Sequence, residues 1–426
     1  MSRQNVSSSH SLIPNSQQYL YEQKYVSIHS EDRDVIKYPS SSKFDIELPQ
    51  DYTNVQAVKL SSWTFPANYN TFSFLQANIS MTFKIIKPYN PGDYCLNNPL
   101  LYVMMEAMYT YGYDTNYIII IEEGFYNPLQ IAKELTNRFN ATVTNVILAF
   151  MHLYFNDPTL NETLSVPVTQ EIINEFVDSG GYNQFVIVYN EVGQKLWFGN
   201  KSSQFVISND SELFKLPLLA NLQCFQSTLP DFTNWGLPAY LGFSRCAVTA
   251  THAPGPNPNI LPRFYYGEIT CGDNGYWLVP DAAYIVNGPC PVYYLECSSK
   301  INLMGNSYFY MEIEGLNNMD ETIPFSANYF TAHTNNTNGV VNSAFAKIAI
   351  TTTPLAQWFD SDTASYKYYN PPADRIRKLS IKLRYHNGQL IDFGLFDFSF
   401  TLEFSMFRPQ NQPKYTMYVP ENVKFG

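Results

Sequence analysis

Three carboxylates crowd around one guanidinium near the start of this 426-residue chain: Glu31, Asp32 and Asp34, with Arg33 among them. Hard oxygen ligands at that density could hold a divalent cation, and two close carboxyls could share acid and base work. In a loop that follows a strand, the same residues cap turns and pair with the arginine. Asp360-Ser-Asp362 poses the same choice and takes the same turn-capping answer. The six histidines (His10, His29, His152, His252, His333, His386) are far apart, and no two have ligand spacing on a helix or hairpin. Zinc held by Cys290, Cys297 and a distant histidine would lack the tight CxxC-like spacing of structural sites. There is no GxxxxGK[ST] phosphate loop, GxGxxG, HExxH or GxSxG elbow. No residue is therefore assigned to catalysis, to a cofactor or to a metal, and the expectation is a protein that is not an enzyme.

A basic row, Arg375, Arg377, Lys378, Lys382 and Arg384, could meet an acidic partner. It could equally be the solvated face of a strand, with charges protecting a sheet edge. The second reading follows from the stretch that contains it. Leu379, Ile381, Leu383 and Tyr385 alternate with Ser380, Lys382 and Arg384, so an extended chain has one dry and one wet face. Asn387-Gly388 follows, a dipeptide suited to a hairpin turn. Phe396, Phe398, Phe400, Leu402, Phe404 and Met406 then form a second apolar row, long enough to demand a second sheet or a partner against it.

The composition agrees. Charged residues make up only 15% of the chain, against about 25% in ordinary globular proteins, while there are 33 Tyr and 30 Phe. Tyr, Phe and Thr favour strands, and a surface poor in charge and rich in Tyr also resembles buried interface. A net charge of −11 argues against direct nucleic acid binding, which needs clustered cations. The longest largely apolar run, Val146 to Phe155, is half of what a membrane-spanning helix needs, so no transmembrane segment is expected. Without a signal-peptide pattern at its start, the chain reads as soluble and not secreted by the ordinary route, with its six cysteines free.

Val26 and Ile28 open the first strand, and short alternating segments recur at Phe44 to Leu48, Val55 to Trp63, Ile79 to Ile86, Gln184 to Ile207, Val292 to Glu296, Tyr308 to Gly315 and Phe345 to Thr351. One helix is expected near 128–140: Asn127 is a good N-cap, Pro128 suits the first position and Gln130 completes a capping box. The fold class is thus all-β, an antiparallel β-sandwich with one short amphipathic helix and extended terminal arms. The expected divisions are an N-terminal arm over 1–24, a β-sandwich domain over 25–245, a Pro/Gly/Cys-rich insertion or junction over 246–290, C-terminal sandwich strands over 291–408 and a tail over 409–426.

Four stretches in this order resemble a known family. They are SIHSEDRDVIKYPSSSKFDIELP (Ser27 to Pro49), IEEGFYNPLQIAKELTNRFN (Ile121 to Asn140), FVIVYNEVGQKLWFGN with the later Leu241-Gly-Phe, and RKLSIKLRYHNGQLIDFGLFDFSFTLEF. Together they are similar to the minor capsid proteins of nucleocytoplasmic large DNA viruses, of the chlorovirus and giant-virus type. Cys246 to Cys297 has no counterpart in that pattern. The resemblance implies that the β-sandwich is jelly-roll-like, and that the chain is a non-enzymatic virion component that cements or scaffolds major capsid capsomers. It implies a place in the capsid shell, at its inner face, after assembly in the host cytoplasm. The implied partners are the major capsid protein, other minor capsid proteins and further copies of the chain. Within that reading, Tyr19, Tyr21, Tyr415 and Tyr418 are the expected assembly anchors on the two arms. The alternative is an exterior carbohydrate-binding or host-attachment module, which would stack sugars on exposed rings.

Overall fold

The computed structural model describes residues 21–66, 71–74, 76, 78–86, 98–112, 115–207, 236–244, 247–252, 277–279, 281, 292–322, 342–350, 355–359, 365–386 and 388–407. Two compact units emerge, one from residues 1–69 with 306–426 and the other from 70–305. In chain order the first unit opens with β1 (Tyr21–His29) and β2 (Lys43–Pro66). The second supplies β3 (Ser80–Ile85), β4 (Tyr117–Ile120), β5 (Phe185–Asn190), β6 (Lys195–Asn200), β7 (Phe205–Ile207), β8 (Val248–Thr249), β9 (Thr251–His252) and β10 (Tyr293–Glu296). The first resumes with β11 (Tyr308–Ile313), β12 (Met319–Glu321), β13 (Asn342–Ala344), β14 (Ala346–Ala349), β15 (Leu355–Phe359), β16 (Tyr366–Arg384) and β17 (Ser399–Phe407). The division falls at 69/70 and 305/306 because β2 pairs with β16 and β17, joining residues that the expected 25–245 and 291–408 domains would separate. Most of 246–290 lies outside the described residues.

The fold is antiparallel β, as expected. In the first unit the strand order is β1-β17-β2-β16-β11-β14, with β15 pairing the end of β2 beyond Ser62. Both long strands are bulged, β2 and β16 slipping register between Tyr368 and Ala373 and again between Ile376 and Lys378. Each bulge adds bend and twist. The predicted dry rows are dry: Leu379, Ile381, Leu383 and Tyr385 meet Phe398, Phe400, Leu402, Phe404 and Met406 in one buried cluster with Phe44, Val55, Val58 and Phe65. Two expectations change. The segments around Asn387-Gly388 do turn, but β16 and β17 do not pair with each other, because β2 lies between them. Phe396 is 55% exposed, since it belongs to the connection before β17 rather than to the apolar row.

The second unit holds a four-stranded sheet β5-β6-β10-β9 and another, β4-β3-β7-β8. Its helices are α1 (Pro99–Glu106), α2 (Pro128–Asn156), α3 (Pro158–Asn161), α4 (Gln170–Asp178) and α5 (Leu237–Leu241). The capping box at Asn127 and Gln130 is formed in both directions, at 2.8 and 3.0 Å. The helix it starts is longer than expected, running to Asn156 rather than 140. Val143, Ile147, Phe150 and Met151 continue its buried stripe at helical spacing. Leu153 and Phe155 are exposed, and their addition to the apolar run hides the period. Phe139 stacks on Phe83 with centroids 4.3 Å apart, at the centre of an aromatic core that includes Tyr117, Phe185 and Phe198.

Candidate functional site

The face of the first sheet that points away from the core can be read row by row, because residues directly opposite in antiparallel strands share a face. His29, Ser399 and Thr64 form one row; Ser27, Thr401 and Ser62 the next. Then come Tyr25–Glu403–Lys59–Tyr366 and Gln23–Ser405–Ala57–Tyr368, and finally Tyr21 with Phe407. The centre of this face is small and neutral apart from the adjacent Glu403 and Lys59. Its two margins carry tyrosines: Tyr25 is 60% and Tyr368 63% exposed, and Tyr366 stacks edge-on against Tyr368 at 4.7 Å. At about 4.8 Å between strands and about 6.6 Å between rows on one face, the positions in these five rows cover roughly 500 Å². That is well short of the roughly 800 Å² that each side of a stable interface buries. A partner seated here must also cover neighbouring loops.

At one end of the face a depression of about 210 Å³ is lined by His29, Glu31, Thr64, Pro66, Asp397, Phe398 and Ser399. The acidic cluster beside it is structural. Asp34 Oδ1 accepts the backbone N–H groups of Ile36 and Lys37, both at 3.1 Å. Arg33 donates to Asp397 at 2.8 Å and to the carbonyls of Ser30 and Tyr38 at 2.6 and 3.1 Å, clamping the turn onto the segment before β17. Among the described residues no three His, Cys, Asp or Glu side chains come together as a metal site. Asp360 and Asp362 lie outside the described residues.

The basic row is spoken for within the molecule. Arg375 meets Asp51 at 2.9 Å, Arg377 meets Glu47 at 3.8 Å, Lys378 meets Asp45 at 2.6 Å and Lys382 meets Glu312 at 3.1 Å. The Lys378 ammonium, with Tyr38 and Ser380, holds the Asp45 carboxyl well below the usual carboxylate range, and Asp45 in turn raises Lys378. Arg384 is different, because its side chain is 3% exposed. It pairs with both Glu312 and the equally buried Glu321, and stands over the Tyr310 ring at 5.3 Å. Burial works against its charge, yet the bonds to Glu321 and Glu312 outweigh burial and leave the guanidinium above its ordinary value. His386 Nδ1 lies 3.3 Å from Glu321. The alternation placed Arg384 on a wet face; Glu321 on β12 is what covers it, and nothing near Arg384 in the chain announces that.

Of the four expected anchors, Tyr19, Tyr415 and Tyr418 lie outside the described residues. Tyr21 is not on an arm: it is the first residue of β1, opposite Phe407 with ring centroids 5.0 Å apart. β1 therefore begins four residues inside the expected 1–24 arm. Polar Glu22, Gln23 and Lys24 conceal the start of the strand that Val26 and Ile28 announce, because its pairing is supplied by β17 rather than by its own alternation. Cys297 is buried, which pushes its thiol up. The other cysteines lie outside the described residues. No helix among the described residues is long and apolar enough to cross a membrane.

No family model matches the chain, and no curated protein does. Among solved structures it is similar to a chain of the Sputnik virophage particle determined by cryo-EM, with a TM-score of 0.38 and 10% identity over 90% of this chain and 98% of that one. It is likewise similar to the mavirus penton protein, with a TM-score of 0.34 and 9% identity over the same shares. Both scores are below 0.5, and neither likeness bears on what the chain does.

Proposed function

We propose that the chain is a structural, non-enzymatic component of a large icosahedral virus particle, a minor capsid protein that cements capsomers through protein–protein contacts. The observation that carries this reading is the outer face of the first sheet, neutral at its centre and lined by exposed tyrosines at both margins. Tyrosine buries much area at small entropic cost, and a centre of Ser, Thr and Ala is inexpensive to desolvate. The four ordered motifs shared with the minor capsid family supply the particle context. The paired basic row fits a partner chosen by shape rather than by charge. An exterior carbohydrate-binding module that stacked sugars on tryptophan could not use Trp63, Trp197 or Trp277, which are buried.

Quantitative mass spectrometry of gradient-purified particles, before and after protease shaving, tests the proposal. A fixed ratio to the major capsid protein with shielding from protease is the expected result. A stoichiometric but accessible chain would move the protein to the exterior, and its absence from particles would overturn the reading.

A further inference from the structure

Two turns of the first unit hold large apolar side chains out in water. Ile36 is 91% and Val35 57% exposed, while Leu395 is 100% and Phe396 55% exposed. Neither turn is slack. Asp34 caps the first by accepting the N–H groups of Ile36 and Lys37, and the Tyr38 N–H returns to the Asp34 carbonyl at 2.8 Å. In the second, the Gly394 N–H donates to Asp392 at 2.8 Å and the Phe396 N–H to the Phe393 carbonyl at 3.2 Å. Gly394 sits at φ 61°, and Leu395 follows it at the tip. Phe393 and Phe398, on either side of that tip, are buried, so the exposure of Leu395 and Phe396 is a property of the turn. Ser30 and Arg33 both bond Asp397, at 2.7 and 2.8 Å, and this fastens the two turns to each other.

We propose that these four side chains enter the surface of a lipid bilayer, so that the first unit rests on a membrane by its turn tips. Large exposed apolar groups mark contact with protein or with lipid, and three observations favour lipid. Ile36 and Leu395 stand almost wholly free of their neighbours, so they build neither a groove nor a flat patch. A protein would need a separate pocket for each, whereas liquid hydrocarbon needs none. Four side chains also offer less than the roughly 800 Å² that each side of a stable protein interface buries. Membrane affinity, by contrast, grows with whatever apolar area is inserted. Third, exposed Lys37 directly follows Ile36, with its Nζ 4.9 Å from the Tyr38 ring centre. A lysine placed there keeps its ammonium among the headgroups while its stem follows the aliphatic side chains inward. The carboxylates set the lipid class. Asp34, Asp392 and Asp397 are spent on bonds within or between the turns, and Glu31 and Asp32 are exposed beside them. Against these five stand Arg33 and Lys37, so the bilayer that suits this end is zwitterionic, such as phosphatidylcholine.

The contact is a property of the chain by itself and does not depend on the capsid reading, so the purified full-length protein tests it. Flotation with phosphatidylcholine vesicles should carry the protein upward, and raising salt from about 0.1 to about 0.5 M should change this little. Adding phosphatidylserine should weaken it. Ile36→Asp and Leu395→Asp should each lower vesicle affinity by about tenfold or more, and the two together should abolish binding. Leu395→Trp supplies a second reading: its emission should shift to the blue on vesicles and be quenched by lipids labelled high on the acyl chain. A protein that stays free of vesicles overturns the inference, as does binding indifferent to both aspartates. Binding that requires phosphatidylserine and falls with salt is adsorption by charge, and it overturns the inference too. So does a parent that self-associates in sedimentation and loses this with Leu395→Asp, because a second copy is then the occupant. Circular dichroism checks that each variant keeps the fold, since both positions sit outside the core.

Discussion

β5 and β1 each end a sheet among the described residues, and different contacts hold the sheets they end. In the second unit the long helix closes the edge. The Asn140 side chain donates to the Phe185 carbonyl at 3.0 Å and accepts from the Phe185 N–H at 2.9 Å, doing what a neighbouring strand would do. One turn earlier, Thr136 Oγ1 accepts the Ile187 N–H at 3.0 Å. In the first unit charge locks the β16–β11 flank through Arg384, Glu312 and Glu321, with β14 beyond it as the last strand. At the far side β1 pairs with β17 among the described residues. The second unit ties an edge strand to a helix by side-chain to backbone bonds, whereas the first ties neighbouring strands together by ion pairs.

Substitutions can break this contrast or sharpen it. The largest effect is expected from Phe139→Ala, which empties the centre of the helix-covered unit and should cost about 3–5 kcal/mol. Hydrogen exchange should then rise across β3 to β7 and spare β16 and β17; a uniform rise would show that the units melt together. Arg384→Met comes next, at about 3 kcal/mol, because it leaves Glu321 buried without its main partner. Replacing Glu321 with Met in the same chain should recover most of the loss, measured by urea titration. Asn140→Ala uncovers the β5 edge and leaves both Phe185 backbone groups without the helix, for roughly 2 kcal/mol. Exchange at the Phe185 amide should increase most, and no change there would mean that the helix does not protect that edge.

Acid separates the charge-locked flank further. Asp45 is depressed in the folded chain, so its stabilising contribution is fully present above the ordinary carboxylate value near 4. It is lost as pH falls through the lower folded value. Asp45→Asn should flatten the acid limb of a stability–pH curve below about pH 4 and leave neutral pH nearly unchanged in slope. The smallest effect is expected from Arg375→Ala: its pair with Asp51 is half exposed, and the change should stay within about 1 kcal/mol.

How much of this was legible depended on where each signal is written. The apolar rows of β16 and β17 carry their own period, and the buried cluster follows them residue for residue from Leu379 to Tyr385 and from Phe398 to Met406. The capping box at Asn127 carried its own chemistry too. What was hidden lies between distant segments. That β2 runs between β16 and β17, that Glu321 covers Arg384 and that Tyr21 belongs to a strand are facts about pairing, and no local window contains both partners. The helix beyond residue 140 was hidden differently, since a buried stripe flanked by exposed Leu153 and Phe155 shows no contrast to read. The outer face combined both problems: its rows exist only once four strands are in register.

The adjacency of β1 and β17 also sets a schedule. Ser30 bonds to Phe398, a residue 368 positions later in the chain. At roughly 5–20 residues per second a ribosome takes on the order of 20–70 seconds to cover that interval. Throughout it β1 and β2 have been made but lack the strand that joins them, whereas residues 70–305 form a contiguous unit that is complete well before. The nascent chain therefore carries a finished middle and an unfinished beginning, and Val26, Ile28 and Phe44 wait in water for the last strand. A binder that shields those early strands during synthesis should raise the yield of folded chain.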